Sequence, residues 1–336
     1  MREARLYSQA EGGYVDCHLC SFRCHIADGH RGVCGVRENI GGILNTAVYG
    51  RLIAEHIDPI EKKPLFHFQP ASKSYSIATV GCNFRCLHCQ NSDISQMPKD
   101  QKRVIGDLVS SEEVVNEALA TGCSSISYTY TEPTIFFEYA WDTGMMAREK
   151  GLKNIFVTNG YMTGECIAEL KGMLDGANVD IKAFTEGFYK KVCGARLAPV
   201  LESVERMRKA GIWVELTTLV IPTMNDSEEE LRSLARWIAK TDKTMPWHIS
   251  AFHPSYKMQD LPPTPASTLR RAREIGLEEG LRYVYTGNIP GDAGESTYCY
   301  KCKEMLIERV GFTVKKNSIT DSACPKCSAP IDGVGL

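Results

Sequence analysis

The chain has 336 residues, 43% of them hydrophobic, and a formal net charge of −2. That length holds one large α/β domain with small appendages, and so balanced a charge gives no reason to expect a nucleic-acid partner. No stretch approaches the apolar length of a membrane span, and Met1-Arg-Glu-Ala has no signal-peptide core, so the expectation is a soluble, cytoplasmic protein without a membrane partner. In such a chain 14 cysteines argue for metal rather than disulfides.

Residues 1–70 read as a cysteine-rich module and lead-in. Cys17-His-Leu-Cys20-Ser-Phe-Arg-Cys24 is followed by Cys34. Four thiolates suit structural zinc or an auxiliary iron–sulfur cluster, with zinc the preferred reading.

Residues 71–292 alternate strands with helices. The first apolar run, 75–80, leads straight into Cys82-Asn-Phe-Arg-Cys86-Leu-His88-Cys89. Three thiolates on one short loop hold three irons of a cubane 4Fe–4S cluster and leave the fourth iron free for another ligand. A fourth cysteine at cluster spacing would instead point to a ferredoxin-like carrier. A zinc site wants a fourth ligand, and His88 cannot easily turn toward the same metal as both neighbours.

Further β-rich runs lie at 124–130, 154–158, 178–181, 213–220, 247–252 and 282–285. Helices are expected at 111–121, at 134–150, from a capping box Asp226-Ser-Glu-Glu229 to Lys240, and from Pro265 to just before Gly280. This alternation means βα units and a parallel sheet, wound by right-handed crossovers into a barrel or open barrel. A flat doubly wound sheet lacks the Gly-x-Gly-x-x-Gly turn that would support it.

Chemistry in such barrels sits at the C-terminal strand ends. Those ends carry Cys82, Glu132, Asn159, Asp180 with Lys182, Asn225, His253 and Asn288. Glu132 is either a ligand contact or an acid placed at a helix N-terminus. Asp180 and Lys182 are either ligand groups or a salt bridge at the barrel mouth. His253 is a substrate-side group or a loop histidine. Cys123 and Cys166 read as small buried hydrophobes. Cys193 stands beside Gly194 on a loop at the active face.

Residues 293–336 hold Cys299-Tyr-Lys-Cys302 and Cys324-Pro-Lys-Cys327. Two such knuckles build one tetrahedral four-thiolate site of zinc-ribbon or rubredoxin type, with zinc preferred over mononuclear iron.

The C-x3-C-x2-C loop resembles the signature of radical S-adenosylmethionine (SAM) enzymes. Cys34-Gly-Val-Arg-Glu-Asn39, Tyr128-Thr-Tyr-Thr-Glu-Pro133, Val157-Thr-Asn-Gly160, Asn178-Val-Asp-Ile-Lys182, Tyr283-Val-Tyr-Thr-Gly-Asn288 and the cysteine knuckles extend the likeness over almost the whole chain. Together they resemble the radical SAM component of the AmmeMemoRadiSam system, whose relatives include the activating enzymes of pyruvate formate-lyase and other glycyl radical enzymes. The resemblance implies a partial (βα)6-type barrel in which SAM chelates the open iron. SAM is then cleaved reductively to methionine and a 5′-deoxyadenosyl radical, which takes hydrogen from an unknown, protein or peptide-like substrate. Glu132 matches the glutamate of the family's Gly-Gly-Glu motif, which contacts the SAM amino group, although Tyr130 and Thr131 replace the glycines. His88 fills the place of an aromatic ring. Asn159 and Asp180 would reach the ribose or methionine part and Lys182 the carboxylate, and the turn holding Asn225 resembles the activating-enzyme branch. The implied partners are a reductant such as ferredoxin or flavodoxin, and Memo-like and AMMECR1-like proteins. A glycyl radical activase is a variant of this reading, weakened by the absence of cysteines between 91 and 122. The reading from a different class is a zinc-stapled binding module without catalysis.

Overall fold

The computed structural model describes residues 1–336. Eight strands form the central sheet, side by side in sequence order. They are β1 (Ala54–Pro59), β2 (Lys73–Ala78), β3 (Ser125–Tyr128), β4 (Lys153–Thr158), β5 (Gly176–Asp180), β6 (Trp213–Val220), β7 (Trp247–Ala251) and β8 (Val284–Gly287). Strands β2 to β8 are parallel and coincide with the seven apolar runs. Parallel neighbours need crossovers, and six helices supply them: α1 (Ser111–Ala120), α2 (Phe137–Glu149), α3 (Gly164–Leu170), α4 (Ala198–Lys209), α5 (Glu228–Asp242) and α6 (Ala266–Glu278). No helix is long and apolar enough to cross a membrane.

Two expectations need correction. The sheet is mixed, because β1 runs antiparallel to β2, pairing Ala54 with Ala78 through Pro59 with Lys73. This strand lies within the stretch read as lead-in. It carries little apolar pattern, since Glu55, His56 and Ile57 are all exposed, as an edge strand allows. Helix α5 also starts differently. Ser227, not Asp226, is its N-cap, accepting from Glu230 N. Asp226 instead accepts from Thr223 N, and the Glu230 carboxylate accepts from Phe184 N, so no reciprocal capping box forms.

Strands β1 and β8 do not pair, so the barrel is incompletely closed. Residues 60–69 turn back into its interior. There the buried Glu215 carboxylate on β6 accepts from Phe66 N, His67 N and Trp213 Nε1 and pairs with His248 at 2.7 Å. Burial alone would raise its pKa; the bond and charge of His248 hold it below the ordinary carboxylate range.

The C-terminal segment seals the gap from outside. Its three strands (Thr297–Tyr298, Met305–Val310 and Thr313–Asn317) are antiparallel. Arg309 reaches from the middle strand to Phe66 O at 2.8 Å and Thr297 Oγ1 at 2.7 Å. The chain of bonds then runs one way. The Asp332 carbonyl can only accept, so His67 Nδ1–H donates to it, the unprotonated Nε2 accepts from Tyr285 O–H, and Tyr285 accepts from Thr297 O–H. His67 is thereby fixed as one neutral tautomer, and its burial pushes its pKa down to about 4.

The N-terminal segment is a set of short antiparallel strands. One fully buried ion pair, Arg37 with Glu138 of α2, ties it to the barrel. Arg37 also donates to Arg5 O at 2.9 Å and Cys17 Sγ at 3.3 Å.

Candidate active site on the barrel rim

The loop after β2 places three cysteines at the wall of a cavity of about 530 Å³. Cys82, Cys86, His88 and Cys89 line it together with Glu132, Thr158, Asn159, Asp180 and Lys182 from the ends of β3, β4 and β5. The loop is braced by a second one: Arg85 N donates to Cys193 O and Leu87 N to Val192 O. That brace is a short π-helix, Tyr189–Cys193, closed by left-handed Gly194. The loop's start is pinned against the N-terminal segment, because a Cβ on Gly81 (φ +107°) would lie 2.9 Å from Val36 Cγ1.

Hydrogen-bond donors converge on the sulfurs. Phe84 N lies 3.3 Å from Cys82 Sγ, Ser95 Oγ 3.2 Å from Cys89 Sγ, and Asn159 Nδ2 3.8 Å from Cys82 Sγ. Cys86 is buried beside the Cys193 thiol, and that neighbour together with burial holds its own thiol well above the ordinary range. Thiols held up in this way stay protonated until a cation is set against them, and a coordinated metal deprotonates them outright. The structure also leaves polar atoms waiting for a partner: both ring nitrogens of His88 and Nδ2 of Asn83 are buried without one. Burial and the nearby Lys182 ammonium push the His88 pKa down to about 3, so the ring is neutral.

Glu132 is buried, and its carboxylate knits two strand ends together. Oε1 accepts from Thr134 N at 3.0 Å and Thr158 Oγ1 at 2.7 Å, and Oε2 from Asn159 N at 2.8 Å. It caps the short helix Pro133–Phe136, so the helix-N-terminal reading holds, and it faces the cavity as well. Asp180 and Lys182 pair at 2.6 Å and both line the cavity. Burial would deprotonate Lys182, but the charge and hydrogen bond of Asp180 outweigh it and raise its pKa. Asn225 is not at the cavity. Its Nδ2 donates to Lys182 O and Leu219 O and its Oδ1 accepts from Ile221 N, so the amide is spent on shaping the turn after β6. His253 is exposed and does not line the cavity. Cys123 and Cys166 lie in the hydrophobic core.

The missing glycines before Glu132 have a structural answer. Tyr130 itself takes the left-handed conformation, with φ +62°, at a cost of order 1–3 kcal/mol. Its side chain offsets that strain. The hydroxyl donates to Asp58, Lys63 Nζ stands 4.5 Å over the ring, and Asn91 Nδ2 holds Tyr130 O at 2.7 Å. Asp58 also receives Lys62 at 2.8 Å and Lys63 at 2.6 Å. These bonds outweigh the effect of burial and keep its carboxyl well below the usual range. Burial pushes Lys63 down to about 8. Tyr130→Phe removes a hydrogen bond to a charged acceptor and is expected to lower stability by about 1.5–3 kcal/mol. Denaturant unfolding checks this; an unchanged midpoint would show that the strain is held in some other way.

The three cysteine sets differ in spacing. At the C-terminus Cys299 Sγ and Cys327 Sγ are 3.7 Å apart, and Cys302 Sγ and Cys324 Sγ 3.6 Å. A tetrahedral ion with metal–sulfur bonds of about 2.3 Å has edges of about 3.8 Å, so these four form a mononuclear metal-binding cluster. No other group of three or more potential ligands lies within 4.8 Å of one another. The signature sulfurs are therefore set too widely for a single ion. Cys17, Cys20, Cys24 and Cys34 feel one another's charge, but they too lack the spacing of a single ion. The preference for zinc at the N-terminus is not met by this geometry.

A Radical SAM superfamily profile matches residues 76–237. The chain is 46% identical over 335 residues to the uncharacterized protein MJ0808 of Methanocaldococcus jannaschii, covering 99% of each. It is 22% identical over 192 residues to the pyruvate formate-lyase-activating enzyme of Clostridium pasteurianum, 54% of this chain and 80% of that one. Among solved structures, Streptococcus suis SuiB bound to S-adenosylmethionine shares the fold, with a TM-score of 0.51 at 12% identity over 68% of this chain and 53% of SuiB. An open α/β barrel, a three-cysteine loop on its rim and these relatives agree: the chain belongs to the radical SAM superfamily, as a SAM-dependent enzyme related to the glycyl radical activating enzymes.

Proposed function

We propose that Cys82, Cys86 and Cys89 hold a 4Fe–4S cluster with one iron open to SAM. The observation that carries this is the convergence of three thiols from one loop, one buried and two half-buried, on a single cavity that polar side chains also line. When bound there, the cluster and SAM supply a 5′-deoxyadenosyl radical by reductive cleavage. The chain's own residues do the positioning. Lys182, kept protonated by Asp180, faces a carboxylate. The neutral His88 ring offers one donor and one acceptor to the adenine edge. Glu132 presents its buried carboxylate to an ammonium while fixing the N–H of Asn159. Ser95 and Asn159 donate toward cysteine sulfur.

The cavity is also lined by Thr217, Ser250, Thr286 and Asn288, and by Phe312 from the C-terminal hairpin. Their hydroxyls and amide suit a peptide-like substrate. Anaerobic reconstitution with iron, sulfide, dithionite and SAM is expected to release 5′-deoxyadenosine. No release from protein carrying its full iron would refute the reading.

The C-terminal cluster, whose spacing suits one tetrahedral ion, is read as a zinc site, and the wider N-terminal set as a second iron–sulfur cluster. Metal analysis of anaerobically purified protein should find one zinc per chain that Cys324→Ser removes without loss of iron. Cys20→Ser should instead lower the iron and spare the zinc. The opposite pattern would reverse both assignments.

A further inference from the structure

A second concavity, of about 690 Å³, lies on the outer side of the cysteine loop. The loop is the partition between the two. Cys82, Cys86 and Cys89 face the active-site cavity, whereas Arg85 and Leu87 face the outer basin. The wall is a single stretch of chain, tethered where Lys99 Nζ donates to Phe84 O at 2.6 Å.

The charge on that outer side is one-signed. Arg31, Arg85, Lys99, Lys102 and Lys257 line the basin, and Asp100 is the only acid among its lining residues. Asp100 accepts from Tyr256 Oη, and Arg31 is paired with Glu38 at 2.7 Å. Arg85, Lys102 and Lys257 are exposed and make no ion pair. A chain of net charge −2 thus concentrates unpaired cations on the outer face of the loop that carries the cluster ligands. Such a patch gathers an acidic partner from solution and orients it, which raises association rate more than affinity. Redox encounters use small interfaces of this kind.

We propose that this basin is the docking surface for an acidic one-electron carrier protein. The inference rests on the cluster reading above. In the docked pair the carrier is oxidised by one electron and the cluster reduced by one, with no bond made or broken; the electron crosses at Arg85 and Leu87. The active-site cavity stays free for SAM and substrate, because reductant and substrate approach the loop from opposite sides. A nucleic acid fits the basin less well. The cations surround one hollow rather than following a stripe, and Tyr256 is the only aromatic ring lining it.

The test uses the reconstituted full chain and the variant Lys102→Glu/Lys257→Glu, which leaves the cysteine loop itself untouched. With reduced flavodoxin as donor, 5′-deoxyadenosine release by the variant should fall by about tenfold or more. The parent rate should drop with added salt, and the variant rate should not. With dithionite, which needs no docking, the two proteins should be equal. Calorimetry should show flavodoxin binding to the parent and a matching loss in the variant, a readout independent of turnover. Equal flavodoxin-driven rates, or a parent that dithionite reduces and flavodoxin does not, would overturn the proposal, as would tighter binding of a single-stranded oligonucleotide than of flavodoxin. Failure of the dithionite reaction in the parent would instead bring down the cluster reading beneath it.

Discussion

Cys82→Ala is expected to strip the signature cluster and to cut release of 5′-deoxyadenosine by more than about 100-fold. Loss of groups that merely orient a metal ligand costs about 10–100-fold, so loss of a ligand itself should cost more. Cys82 is the site's most heavily supported sulfur, held by Phe84 N and Asn159 Nδ2, and no neighbouring side chain takes its place at the cavity. The comparison is Cys123→Ala, which removes a core thiol at the N-terminal end of β3, away from the rim, and should leave iron content and turnover intact. Iron analysis and product release on both proteins, prepared anaerobically, decide the matter. A Cys82→Ala protein that retained turnover would remove the loop from the mechanism.

The second large effect concerns stability. Glu138→Ala leaves the Arg37 guanidinium buried without its counter-charge, and breaking a buried pair in this way costs about 3–5 kcal/mol. Glu138 also accepts from Arg5 N at 2.7 Å, so the same change loosens the link between the first two strands of the N-terminal segment. The expected result is a marked fall in the denaturant midpoint and early loss of structure around Cys17, whose sulfur Arg37 holds. Replacing both partners, Arg37→Met with Glu138→Leu, should recover much of the loss, because two apolar groups leave no stranded charge. A single Glu138→Ala variant as stable as the parent would mean that the N-terminal segment is anchored elsewhere.

These two predictions draw on different kinds of information. The first was legible in the chain. Cys82, Cys86 and Cys89 lie within eight residues, and the apolar run before them marks a strand whose end must carry them. Glu132, Asn159, Asp180 and Lys182 were equally readable, since each follows an apolar run in a sequence that alternates strand and helix. The second was not legible. Nothing local links Arg37 to Glu138, 101 residues away, and no periodicity reports a contact at that range.

The same divide runs through the details. Ala54–Pro59 was overlooked as a strand because an edge strand with exposed Glu55 and His56 has no apolar alternation to show. Asn225 looked like a ligand group because it ends a strand; its amide is consumed by the turn, which only the fold reveals. The Tyr130 backbone could not have been anticipated, because its anchor, Asp58, arrives from 72 residues away. Cys193 reads from the sequence as a loop residue at the active face, but the π-helix that sets its carbonyl against Arg85 N is announced by no local pattern.

What the sequence determined by itself was the class of chemistry and the scaffold for it. Both follow from short-range order: thiols at fixed spacing, and apolar runs at strand and helix period. Tertiary structure alone decided which cysteine set has the spacing of a single ion and which residues between strand ends reach the cavity. It also decided that one loop separates an active site from a basic basin. Those are distances between side chains far apart in the chain, set by how the barrel closes and what is packed into its gap, and they exist only once the whole chain has folded.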